Sequence, residues 1–114
     1  MEVEQAGGTA LPVQCDIRFE DQVTAVIQKA IEKFGGIDIL VNNASAISLT
    51  TTEQTGAKRY DLMYDINVRG TFFSQGPVSL FKKSSNPHIL TLSPPLNLDP
   101  KLVCWSCGLY DYQV

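Results

Sequence analysis

Between Glu20 and Phe34, apolar side chains recur at Val23, Ile27, Ala30, Ile31 and Phe34, the three-and-four spacing that lines one face of a helix. Glu20 and Asp21 stand where negative charge favours a helix N-terminus, and Gly35 and Gly36 offer the residue type at which such a helix stops. The pattern then changes. Residues 37–42 form a largely apolar, β-branched run that fits a strand covered on both faces, as in a parallel sheet. Residues 11–15 and 88–92 read as two further strands, residues 48–55 as a Thr- and Ser-rich loop, and residues 84–87 as a turn. Residues 56–83 read as a helical region with Leu62, Ile66, Phe73 and Leu80 on its core side and a kink at Pro77, where one hydrogen bond is lost. The order β-α-β-α-β predicts a parallel, right-handed α/β arrangement. A right-handed crossover through the first long helix would set residues 11–15 beside residues 37–42, the favoured arrangement; the alternative is that they remain unpaired and mobile.

Composition narrows the class. A chain of 114 residues makes one domain at most, and 44% hydrophobic content suits a folded core. A formal net charge of −3 argues against a nucleic-acid or anionic-membrane partner. No apolar run approaches the roughly 20 residues of a membrane helix. The first residues are acidic and the last are not Ser-Lys-Leu, so neither a leader nor a peroxisomal signal is visible. Three cysteines cannot all pair with one another, which favours a reduced, intracellular setting, cytoplasmic by default.

The candidate chemistry sits at the ends of the predicted strands. Residues 35–45 read Gly-Gly-Ile-Asp-Ile-Leu-Val-Asn-Asn-Ala-Ser, so a polar cluster falls at a strand's carboxyl end, where open α/β sheets bind ligands. An Asn-rich turn after any buried strand would look similar. Upstream, residues 10–18 run through a strand into Asp16-Ile17-Arg18. Downstream, residues 65–72 contain Asn67-Val68-Arg69-Gly70, and residues 88–98 end in Ser93-Pro94-Pro95-Leu96-Asn97-Leu98. Four such segments in this order resemble the short-chain dehydrogenase/reductase family, with Ser45 in place of a usual glycine. The Ser-Pro-Pro pattern narrows the likeness to its hydroxysteroid dehydrogenase-like branch. The resemblance spans about residues 1–101.

That resemblance implies a partial Rossmann-like α/β fold, with about three strands and flanking helices, truncated at both ends. It implies NAD or NADP as the cofactor of the intact family and oxidation or reduction of an alcohol/carbonyl pair. By the same resemblance Asp16 and Asn43 are cofactor-binding candidates, Asp16 against the adenine. Asn67 matches the family's catalytic asparagine, which holds a water in a proton relay; a helix asparagine at a kink is the plain alternative. Ser93 matches the catalytic serine only after a local shift, since Pro94 aligns at the usual position, and a strand-end serine with no catalytic role fits as well. The family's intracellular range also allows peroxisome or mitochondrion.

Two family devices are missing from these residues. The family cradles pyrophosphate with T-G-x-x-x-G-x-G, where glycines let the backbone approach the phosphates. No such spacing occurs: Gly7 and Gly8 precede a predicted strand, and Gly70 and Gly76 fall inside a predicted helix. The family's proton donor is Tyr with Lys four residues on, the lysine charge lowering the tyrosine pKa from about 10. No Y-x-x-x-K occurs: Tyr60, Tyr64 and Tyr110 are followed four places on by Tyr64, Val68 and Val114. The expectation is a remnant that binds neither cofactor tightly and is inactive alone. The alternative is a non-catalytic module that associates with a full-length short-chain dehydrogenase subunit through residues 56–83.

Residues 102–114 resemble nothing in the family. Read one base later with permitted codons, they encode W-F-A-G-H-V-A-Y-T-I-T-K, which ends in the missing Y-x-x-x-K. A frame change near Lys101 therefore predicts a loosely ordered tail after a domain of residues 1–101. It also demotes Cys104-Trp105-Ser106-Cys107: a zinc site wants four ligands, and only Cys15 and His88 remain to join. Cys15 reads as a small buried hydrophobe and His88 as the first residue of a strand.

Overall fold

The computed structural model describes residues 2–76, 84–92 and 112–113. A short helix α1 (Glu2–Gln5) is followed by α2 (Glu20–Phe34), strand β1 (Ile39–Asn42), a 3-10 turn (Thr52–Gln54), and α3 (Ala57–Tyr64). A π-helical turn (Asp65–Gly70) then leads into α4 (Thr71–Gln75), strand β2 (His88–Thr91) and a two-residue strand β3 (Tyr112–Gln113).

Helix α2 has the predicted bounds. It ends because Gly35 adopts φ 82°, in the left-handed region, and returns its N–H to Ile31 O. A side chain would be strained there, whereas glycine is not. β1 begins at Ile39, two residues later than the apolar run, and pairs in parallel with β2 in the register Ile39↔His88 to Asn42↔Thr91. His88 N–H donates to Asp38 O and Leu92 N–H to Asn42 O, extending the ladder at both ends. The parallel neighbours predicted from the sequence are thus paired.

Two sequence expectations are corrected here. Residues 11–15 form no strand, and the sheet order β1-β2-β3 gives them no place beside β1. Their burial still alternates, with Leu11, Val13 and Cys15 half-buried and Pro12 and Gln14 exposed. Contacts to helices hold this segment instead. Lys33 Nζ donates to Ala10 O at 2.9 Å, Asp16 N–H donates to Gln22 Oε1 at 2.8 Å, and Ile17 packs on Gly70. An extended segment needs an adjacent strand edge to become a strand, and these ties direct it to the helices. The third strand comes from 112–113, antiparallel to β2. The other residues of 102–114 lie outside the described ones.

The second correction concerns the helical region. Its buried residues among the described ones are Met63 and Asn67, one position beyond the predicted Leu62 and Ile66, and Gly70, three positions before the predicted Phe73. Leu62 is exposed, and Ile66 and Phe73 are half-buried. The predicted kink at Pro77 and the core position Leu80 lie outside the described residues. Val23, Met63 and Ile89 make up the buried apolar core among the described residues.

Candidate functional site

Three segments meet at the carboxyl end of β1: the turn at 16–19, the loop at 42–46, and the π turn. The sequence places them about 20 positions apart, and the fold joins them through specific side chains.

Asn67 is 9% exposed and faces the loop after β1. Ala46 N–H donates to Asn67 Oδ1, and Asn67 Nδ2 donates to Ala46 O, both at 2.8 Å. The amide therefore acts as a cross-strand backbone would, satisfying both polar groups of one loop residue. A buried N–H or C=O left alone costs about 1–3 kcal/mol, which is why a primary amide suits this position. The asparagine lies inside the π turn, a form common at functional sites because it alters the hydrogen-bond ladder of a helix. Thr71 Oγ1 donates to Asn67 O at 3.1 Å, and Ser74 Oγ donates to Gly70 O at 2.9 Å.

Gly70, three residues on, lets the turn at 16–18 approach. A Cβ there would stand 2.6 Å from Ile17 Cδ1 and 2.8 Å from Ile17 Cγ1. Ile17, residues 40–44, Gly70, Thr71 and Ser74 enclose a cleft of about 90 Å³. Asn43 lines it, exposed, and its side chain has no hydrogen-bond partner among the described residues. Asn42, by contrast, is tied across the sheet: its Nδ2 donates to Thr91 Oγ1 at 3.2 Å.

Asp16 precedes Ile17, which lines this cleft. Arg18 holds the Asp16 carboxylate. Arg18 Nε reaches Oδ1 at 2.9 Å and Oδ2 at 3.1 Å, Nη2 reaches Oδ2 at 2.5 Å, and the Arg18 backbone N–H reaches Oδ1 at 3.1 Å. The side-chain hydrogen bonds from Arg18, helped by its backbone N–H and its charge, lower the Asp16 pKa to about 2. Cys15, one residue earlier, is half-buried; burial, then the Asp16 and Asp21 carboxylates, raise its thiol pKa.

On the far side of the loop a run of hydroxyls has one possible direction. Thr55 Oγ1 donates to Thr51 O at 2.8 Å, so Thr50 must donate to Thr55, and Ser48 to Thr50, both at 2.8 Å. Arg59 Nη1 donates to Ser48 Oγ at 3.2 Å and starts the chain. All three hydroxyl protons are then used within the loop. The chain fixes the shape of 48–55 and leaves those hydroxyls no proton to offer a ligand.

The structure thus brings Asn43 and Asn67 to one loop, with Ile17, the residue after Asp16, beside it; Ser93 and the Cys104–Cys107 pair lie outside the described residues. The sequence reading missed Arg18, Ala46 and the hydroxyl chain. The Asp-x-Arg spacing was a local signal for the first; the other two depend on the fold. Among the described residues, no group of His, Cys, Asp and Glu could hold a metal ion, and no helix is long and apolar enough to cross a membrane.

The sequence profile of the short chain dehydrogenase family matches residues 1–96. Hydroxysteroid dehydrogenase-like protein 2 of Mus musculus is 60% identical over 100 residues, covering 87% of this chain and 20% of the mouse protein. The Homo sapiens protein of that name is 58% identical over 100 residues, with 87% and 24% covered. This chain therefore spans about a fifth to a quarter of the length of these relatives. A short chain dehydrogenase crystal structure from Mycobacterium thermoresistibile superposes with a TM-score of 0.79 at 55% identity, over 88% of this chain and 36% of that one. A short-chain type dehydrogenase/reductase from Mycobacterium marinum gives 0.72 at 30% identity, over 79% and 36%.

Proposed function

The chain belongs to the short-chain dehydrogenase family, and from that membership we propose that its residues form the adenosine-side and relay-side part of an NAD(P)-dependent oxidoreductase acting on an alcohol/carbonyl pair. The observation that supports this reading is the meeting at the 42–46 loop of Asn43, of Asn67 through its bonds to Ala46, and of Ile17, the residue after Asp16. In this reading Asp16 and Asn43 contact the adenosine half of the cofactor, and Asn67 fixes the loop while its helix serves the proton relay. The cofactor, when bound, supplies the hydride.

The residues present fit only one end of that cofactor. Asn43 offers its amide at the cleft, and Asp16, the residue before Ile17, an ionised carboxylate held by Arg18. Nothing fits the pyrophosphate, because the chain contains no T-G-x-x-x-G-x-G run, and nothing supplies the proton, because it contains no Y-x-x-x-K. A polypeptide of these 114 residues is accordingly expected to give no turnover of NADH or NADPH with common alcohols and ketones above a Tyr60→Phe control. Micromolar binding of either nucleotide by calorimetry, or turnover lost in Asn67→Ala, would overturn this.

A second reading has an observation of its own. Helices α3 and α4 expose Leu62, 41% exposed, and Phe72, 70% exposed, and Tyr60 and Tyr64 stack with ring centres 6.2 Å apart. Such a surface suits an interface role for residues 56–83 against a full-length short-chain dehydrogenase subunit. Capture of a full-length relative, lost in Phe72→Ser, would favour this reading over a purely catalytic ancestry.

A further inference from the structure

The loop after β1 inverts ordinary patterning. Ser48 is buried, while Ile47 and Leu49 on either side of it are exposed. Ser48 is held in place by the hydroxyl chain, accepting from Arg59 Nη1 at 3.2 Å and donating to Thr50 at 2.8 Å. Arg59, Leu62 and Met63 follow the i, i+3, i+4 spacing, so they share the side of α3 that faces the loop. Between loop and helix lies a cleft of about 480 Å³, with buried Met63 and exposed Ile47, Leu49 and Leu62 among its walls. Its polar lining is one-sided. The protons of Ser48 and Thr50 go to Thr50 and Thr55, so these hydroxyls offer a ligand lone pairs only. Arg59 is then the one side-chain donor in the lining. One of its N–H groups goes to Ser48, and among the described residues it pairs with no carboxylate.

We infer that this cleft binds a small monocarboxylate with an apolar body, its carboxylate on the Arg59 guanidinium and its chain against Ile47, Leu49 and Leu62. A guanidinium meets a carboxylate through two parallel N–H bonds, and one positive charge balances one negative. A phosphate dianion wants further donors, which the lining lacks. A neutral head group forgoes the charge, and a carboxylate without a chain leaves the three apolar side chains in water. Ser48 is a positioning residue: its hydroxyl holds Nη1 and is itself anchored through Thr50 and Thr55 to Thr51 O. The site needs no nucleotide, so it stands apart from the roles proposed for Asp16 and Asn43.

Titration of the labelled full chain with hexanoate, hexanamide, acetate and inorganic phosphate near neutral pH, followed by amide NMR shifts at residues 46–50 and 59–63, tests this. Hexanoate should bind about fivefold more tightly than hexanamide, as expected for one charge-assisted contact at an exposed site. It should bind about tenfold more tightly than acetate, because acetate lacks the apolar chain. Arg59→Gln should bring hexanoate and hexanamide to within about twofold, and Arg59→Lys, a point charge without the planar fork, should fall between. Leu49→Ser should reduce the preference over acetate and keep the preference over hexanamide. Because each comparison is made within one variant, a loss of stability alone does not change the ratio. No hexanoate shift at residues 46–50 in the unaltered chain would overturn the site. A preference over hexanamide that survives Arg59→Gln would overturn the role of Arg59. Phosphate binding as tightly as hexanoate would show a general anion contact and overturn the carboxylate assignment.

Discussion

Asp16 and Asn67 differ in how much of their role a sequence can carry. Asp16 is tied to a residue two positions away, so the pair could be read locally from the Asp-x-Arg spacing. Asn67 stands out by its Asn-x-x-Gly context, but its partner Ala46 lies 21 positions back and meets it only when the helix and the loop are both in place. Asn43 was legible from its position at a strand end; that Asn42 beside it is engaged by Thr91 was not, because this requires the register of β1 on β2. The Asp16 ion pair gives a pH test. Its folded pKa of about 2 lies below the ordinary 3.8, so the pair contributes stability above about 3.8 that is lost as the pH falls through about 2. The pair is solvent-exposed, so the effect belongs to local order, not to global unfolding. A carboxyl NMR titration of Asp16 should show a midpoint well below that of ordinary aspartates, and Arg18→Gln should return it towards 3.8. A midpoint unchanged by that substitution would show that the pair does not persist in solution.

Among the elements, α2 and the two parallel strands follow from periodicity because their inward side chains are apolar and ordinary. The helical region after Gly56 defeats the same reasoning. Large apolar residues mark the stripe Leu62, Ile66 and Phe73, yet the buried stripe is Met63, Asn67 and Gly70. The inward face meets backbone at residue 46 and the Ile17 side chain, so it needs an amide and a missing Cβ where a pattern reading looks for leucine. The π turn then alters the phase further. Residues 11–15 show the opposite failure: their burial alternates as a strand's would, but without a neighbouring edge they build no ladder. The close approach at Gly70 makes a direct test. Gly70→Ala should lower stability by about 1–3 kcal/mol in urea denaturation, the usual range for overpacking. Ile17→Ala should cost stability alone but recover part of the loss in the double variant, since it removes the atoms a Cβ would strike. Simple additivity of the two changes would mean that the turn does not dock on the helix.

For the whole molecule, the described core is small and much apolar surface stays in water. Ile39, Val41, Leu90 and Leu92 are 55%, 50%, 42% and 53% exposed, although their strands have the composition of a sheet covered on both faces. This fits a chain that matches only 36% of the length of the Mycobacterium thermoresistibile dehydrogenase it superposes on. Burial of so little area leaves a narrow margin over chain entropy, so local openings should be frequent and graded. Their order can be read from the hydrogen bonds. β1 and β2 share a four-residue parallel ladder extended at both ends, and Ile89 within it is 2% exposed. Residues 11–15 have no ladder, and their neighbourhood is held by side-chain bonds from Lys33 and Gln22 at its two ends. Side-chain ties of this kind open with a rotamer change, whereas a ladder opens only when two strands part. Hydrogen exchange should therefore be slowest at the bonded amides of β1 and β2. It should be intermediate at Asp16, whose N–H is held by Gln22, and fast at Leu11, Val13 and Cys15. Ala substitution of Gln22 should speed exchange at Asp16 and leave β1 unchanged. Protection at residues 11–15 equal to that of β1 would require a strand partner for them in solution, and would restore the pairing that the sequence pattern first predicted.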